Sequence, residues 1–189
     1  AEWHTLRCVW VHTPNDAQEL EIASLHTASA LFEKNMNPAH AKQEHESMIR
    51  VFEAHGVYVL KLTDVLLKGA HAHDNDPLAL EYVQTLAADM VSIEYTSSPS
   101  DPPWTHAQEL AAREDVYKNI AARSPEELLR LIFNCPTIAL SRTARNTGYK
   151  AEYRLHPLSN SYFMPDPMIT TAAGLVIGRA STHQRSGEE

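Results

Sequence analysis

The alternation of apolar and polar side chains in Leu6-Arg-Cys-Val-Trp-Val predicts a β-strand running to His12. Thr13-Pro14-Asn15-Asp16 breaks it as a turn, with a short helix expected over 17–22. No pattern assigns the stretch from there to Asn37. Pro38 stands where a first helical turn accommodates it, and Met48, Ile49 and Phe52 recur at helical spacing up to Gly56, a residue suited to a helix end. Residues 57–62, Val-Tyr-Val-Leu-Lys-Leu, predict a second strand, and Thr63 caps a short helix over 65–68 that Gly69 closes. Strand, helix, strand, helix is the order of an α/β unit.

The middle of the chain changes character. Asp76-Pro77 is a helix cap with a first-turn proline, and Leu80, Val83, Leu86, Ala87, Met90 and Ile93 then form an apolar stripe. Residues 97–103 are a Ser/Pro-rich break, 105–123 are rich in Ala and Glu, and Ser124-Pro-Glu-Glu is a capping box before Leu128, Leu131 and Ile132. No stretch from Asp76 to Gly148 alternates as a sheet does, so 76–148 is expected to be an all-helical insertion. It separates a first α/β unit, 1–75, from the start of a next β unit, 149–189. There a strand is expected over 153–158. Two β-favouring runs, 168–171 and 175–179, flank Ala-Ala-Gly and predict a hairpin in which Gly174 takes a positive φ.

Composition narrows the function classes. The formal net charge of −8 over 189 residues makes nucleic acid and anionic membrane surfaces unsuitable partners. No apolar run approaches ~18 residues, and the first residues lack a signal pattern. Cys8 and Cys135 make neither a disulfide framework nor a metal-like spacing, so a reducing cytoplasm is the expected compartment.

Several side chains invite a chemical reading and do not hold it. His71-Ala-His73-Asp74 could offer a metal two imidazoles and a carboxylate, but it sits in a polar loop without a convincing further ligand. His40 to His45 is one residue too long for His-x-x-Glu-His, which favours a helix surface. Cys135 lies among apolar residues, as a buried thiol would. There is no Gly-rich phosphate loop, and Ser159 lacks a Gly-x-Ser-x-Gly setting.

Asp166 is different, because it stands between Pro165, whose φ is fixed, and Pro167, which pushes Asp166 into extended space. The carboxylate is therefore carried on a stiffened backbone, either as an acidic turn before the hairpin or as part of a site. The run Asn160-Ser-Tyr-Phe-Met-Pro-Asp-Pro-Met-Ile-Thr-Thr, followed by Gly-Leu-Val-Ile-Gly and Gln184-Arg185, resembles the signature of the arginine deiminases. A second stretch, Ala41-Lys-Gln-Glu-His-Glu with Phe52-Glu-Ala-His-Gly-Val-Tyr-Val-Leu-Lys-Leu-Thr-Asp, is similar to that family's first helix and strand. The pattern departs at Pro165, where the family has Arg.

The resemblance implies hydrolysis of L-arginine to citrulline and ammonia by a cysteine nucleophile, with no cofactor and no metal. It implies a catalytic carboxylate at Asp166 that binds the guanidinium, substrate contacts from Asn160 and Arg185 at the α-carboxylate end, and Phe163 lining the pocket. Taken alone, Asn160 could be a turn residue, Arg185 a solvated cation and Phe163 a core residue. The family fold is a five-bladed αβ propeller with a helical insertion, of which this chain would supply about two blades. The family's Glu-Gly-Gly-Asp run, His-x-Asp pair and C-terminal Cys have no counterpart here, so they are expected beyond the end of an N-terminal part that is inactive alone. Association with that missing part, or a homo-oligomer, follows. Other guanidine-modifying enzymes (agmatine deiminases, amidinotransferases, dimethylarginine hydrolases) and a non-catalytic arginine-binding or assembly protein are the alternatives.

Overall fold

The computed structural model describes residues 5–71, 73–74, 76–97, 101–143, 147–161, 168–171 and 173–179. They form a mixed α/β structure, and among the described residues the strands make three small open sheets and no closed barrel. The chain divides into two compact units. One combines the residues up to Lys68 with those from Pro157 on, and the other is Gly69–His156.

In the first unit β1 (Cys8–Val11) pairs in parallel with β2 (Tyr58–Lys61), from Cys8 opposite Tyr58 to Val11 opposite Lys61. The crossover between them carries α1 (Glu19–Ala23), a 3₁₀ stretch (Ser24–Ala30) and α2 (Pro38–Ala54). The Asn37 side chain caps α2 by accepting the His40 N–H at 3.0 Å, and Pro38 occupies the first turn, where a missing N–H costs nothing. Gly56, at φ +74°, turns the chain from α2 into β2, a conformation a β-carbon would strain. Val11, Leu20, Ala23, Ala30, Ile49 and Val57 are buried in this unit. α3 (Leu62–Leu66) starts directly at the end of β2, three residues before the expected helix. Thr63, expected as its cap, lies inside it and is buried. The predicted hairpin forms as β6 (Met168–Thr171) and β7 (Gly174–Ile177), antiparallel, with Gly174 at φ +136°.

The second unit begins with α4 (Pro77–Met90), capped by Asp76, which accepts the N–H groups of Leu78 and Ala79. α5 (His106–Ala121) and α6 (Pro125–Asn134) each open on a capping box, Thr105 with Gln108 and Ser124 with Glu127. α6 buries Leu128, Leu129, Ile132 and Phe133, and α4 buries Val83 and Ala87. The expectation of helices alone over 76–148 is corrected here. β3 (Ser92–Thr96) and β4 (Thr137–Arg142) fall within that range and pair in parallel, and β5 (Tyr149–Arg154) adds to β4 antiparallel. The reason is physical: a parallel pair needs a long crossover, and α5 and α6 supply it, so neither short strand is identifiable without its distant partner. The strand expected over 153–158 also moves back, because its register is set by the turn to β4, from Arg142 opposite Tyr149 to Thr137 opposite Arg154. On one face of this sheet Tyr95 donates to the Glu109 carbonyl of α5 at 2.8 Å. Trp104 packs edge-on to Tyr95 and stacks on Tyr149 at 5.5 Å, with its indole N–H on the Thr96 carbonyl.

Candidate functional site

Asn160 is held in a tight turn, where the Ser161 hydroxyl donates to the Leu158 carbonyl at 2.9 Å and Leu158, Ser159 and Asn160 are all buried. The Asn160 amide Nδ2 donates to the Ala30 carbonyl at 3.5 Å and to Ser159 Oγ at 3.3 Å. A buried amide must find partners, and these two fix which way its head group faces. Ala30 ends the 3₁₀ stretch, and Leu31 follows at φ +64° with its side chain 57% exposed. The Ala30–Leu31 backbone is thus a neighbour of Asn160 that the sequence reading did not name. Residues 24–37 carry no periodicity, and the contact spans 130 positions. Asp166, Phe163 and Arg185 lie outside the described residues, as does Pro165.

The first unit also contains a polar cluster that no pattern announced. His12 and Glu19 are both fully buried, with His12 Nε2 3.1 Å from Glu19 Oε1. The same carboxylate accepts the Asn15 N–H at 2.8 Å and the Ala17 N–H at 3.1 Å. This closes a loop in which Asn15 and Gln18 adopt φ of 66° and 65°. Burial pushes the Glu19 carboxyl up, but the hydrogen bond and charge of His12, with the backbone donors, outweigh it and hold it below its ordinary value. Beside this cluster Lys42 of α2 donates to Asp16 at 2.8 Å. His45, one turn on, is pushed down first by burial and then by the charge of His12.

Cys135 ends α6 at φ +39°, its Sγ donates to the Ile132 carbonyl at 3.2 Å, and burial pushes its thiol up to about 11. At neutral pH it is therefore a thiol and a poor nucleophile. Cys8 is free and exposed on β1. His71 and His73 stack at 5.3 Å, with His71 3.5 Å from Glu126 and His73 3.5 Å from Asp74. Among the described residues no group of three or more His, Cys, Asp or Glu could hold a metal ion. His40 faces Glu44 at 3.8 Å on the exposed side of α2. No helix of the described residues is long and apolar enough to cross a membrane.

The family model described as "Arginine deiminase" matches residues 29–189. The matched span includes α2, the whole second unit, Asn160 and the β6–β7 hairpin, and the chain belongs to the arginine deiminase family. No match to it is found among curated proteins.

Proposed function

We propose that the chain forms the guanidinium-binding part of an enzyme that hydrolyses L-arginine to citrulline and ammonia. The observation that carries this is the family match over 29–189, which spans the run from Asn160 to Arg185. Asp166 accepts paired N–H groups of the planar cation, a charge-assisted contact strengthened by desolvation. Asn160 and Arg185 take the α-carboxylate end, and Phe163 walls the alkyl stem. Asn160 sits buried in its turn with its amide on the Ala30 carbonyl, a setting that would hold it ready for such a contact. A cysteine thiolate attacks the guanidinium carbon, ammonia leaves, and water releases citrulline from the covalent intermediate. That cysteine is neither of the two here: Cys135 is held as a thiol, and Cys8 is exposed on a strand. It comes from outside these residues.

The first unit, with its parallel β1–β2 pair and the β6–β7 hairpin, is read as blades of an αβ propeller, and the second as the family's insertion. The discontinuity of the first unit around Gly69–His156 supports this. Two free cysteines suit a reducing cytoplasm, and the exposed hairpin suits association with further blades or with a second copy. The test is steady-state citrulline formation by the enzyme that carries the nucleophile. Asp166→Asn is expected to lose on the order of 2–5 kcal/mol of transition-state binding, in kcat as well as KM. Asn160→Ala is expected to raise KM more than it lowers kcat. Near-normal kcat/KM in folded Asp166→Asn would overturn the assignment.

A further inference from the structure

The charged face of the β3–β4–β5 sheet holds a hollow. Strand pairing sets three rows across it: Thr96, Ser141 and Lys150; Glu94, Ala139 and Glu152; Ser92, Thr137 and Arg154. Because side chains alternate, these nine residues share one face, opposite that of Tyr95 and its α5 contact. Ala139 stands at the centre of the middle row, and its missing bulk leaves a hollow of about 210 Å³. Thr96, Ala139, Ser141, Lys150, Glu152 and Arg154 line it. Arg154 reaches across the central strand to pair with Glu94, which fences one side of the hollow and fixes the guanidinium there. Thr96 donates its hydroxyl hydrogen to the Leu140 carbonyl, so its oxygen presents only lone pairs. Among the described residues the side chains of Ser141, Lys150 and Glu152 have no hydrogen-bond or ion-pair partner.

The charges decide the occupant. Lys150 and Arg154 balance Glu94 and Glu152, so the hollow has no net sign. A simple anion would meet Glu152, a simple cation would meet Lys150, and a neutral molecule would leave both unmatched. We propose that this hollow binds a small zwitterion of the α-amino-acid class. Its carboxylate lies against the Lys150 ammonium and the Ser141 hydroxyl, and its ammonium against Glu152. Lys150 and Glu152 are two residues apart on one strand, about 7 Å at the backbone, close enough for both long side chains to reach a single small molecule. The hollow belongs to the second unit, whereas Asn160 belongs to the first.

The test is an amide-resolved NMR titration of the isotope-labelled chain with L-alanine, using alaninamide and N-acetylalanine as probes lacking one charge each. Saturable shifts are expected at Thr96, Ala139, Ser141, Lys150 and Glu152, with a dissociation constant on the order of 10 mM, because solvent-exposed pairs contribute little. Each single-charge probe, and each of Lys150→Gln and Glu152→Gln, is expected to weaken binding about two- to fivefold while the spectrum stays that of the folded chain. Three results would overturn the proposal: no saturation at these residues, N-acetylalanine or alaninamide binding as well as alanine, or unchanged affinity in both variants. Shifts confined to the Asn160 turn also overturn it and bear on the proposed function instead.

Discussion

At the scale of single residues, burial and charge set what each group does with pH. Glu19 is held below its ordinary 4.5, so the folded state favours its charged form. The stability this gives is present above that value and is lost as pH falls through the lower folded one. His45 is pushed below 6.5, so the folded state favours its neutral form, and its contribution likewise fades as pH falls from 6.5 downward. Thermal unfolding followed by circular dichroism should therefore show the melting temperature dropping in two stages on acidification. His45→Gln should flatten the first stage and leave the second. Glu19→Gln removes the charge beside buried His12 and turns a donor toward the Asn15 or Ala17 N–H, which should cost about 3–5 kcal/mol in chemical denaturation. A loss under about 1 kcal/mol would show that the pair is dispensable to the fold. Cys135 gives a third expectation: with its thiol near 11, it should react with a disulfide reagent at pH 8 far more slowly than exposed Cys8. Equal rates would contradict its burial.

At the scale of elements, the helix starts marked by a cap and a proline were the most legible feature, because each is written in adjacent residues, whereas α3 has no side-chain cap and starts earlier than expected. Asn37-Pro38, Asp76-Pro77 and Ser124-Pro125 all open helices where the sequence places them. Ser124 both accepts the Glu127 N–H and donates its own N–H to the Glu127 carboxylate. Ser124→Ala should cost about 1 kcal/mol, and Ser124→Asp should restore most of it. What the sequence concealed lies between distant positions. β3 is Ser-Ile-Glu-Tyr-Thr, alternating over only five residues, and it appears as a strand only with β4 pairing it after two helices. His12 and Glu19 are seven residues apart, but a turn with Asn15 and Gln18 at positive φ lies between them, so no helical or strand periodicity connects them and their burial together could not be read from it. The same holds for Asn160, which the motif marked as a candidate while its contact with Ala30 had no local signal.

At the scale of the molecule, the β6–β7 hairpin exposes Ile169, Leu175, Val176 and Ile177, between 54% and 67% each. Among the described residues this ribbon presents apolar side chains and unpaired strand edges together, so the purified chain should bind an apolar dye and exceed monomer mass in light scattering at high concentration. Ile177→Lys should reduce both signals, and a monomer without dye binding would count against association through this hairpin. The discontinuity of the first unit has a consequence for synthesis. As the nascent chain leaves the ribosome, β1, α2 and β2 emerge first, yet the turn that meets the Ala30 carbonyl follows only after Gly69–His156 has been made. At about 5–20 residues per second that interval lasts several seconds, far longer than a helix or hairpin takes to form. The unit begun first is therefore the one finished last. Ala30, buried in the finished unit, waits all that time for the turn that meets its carbonyl.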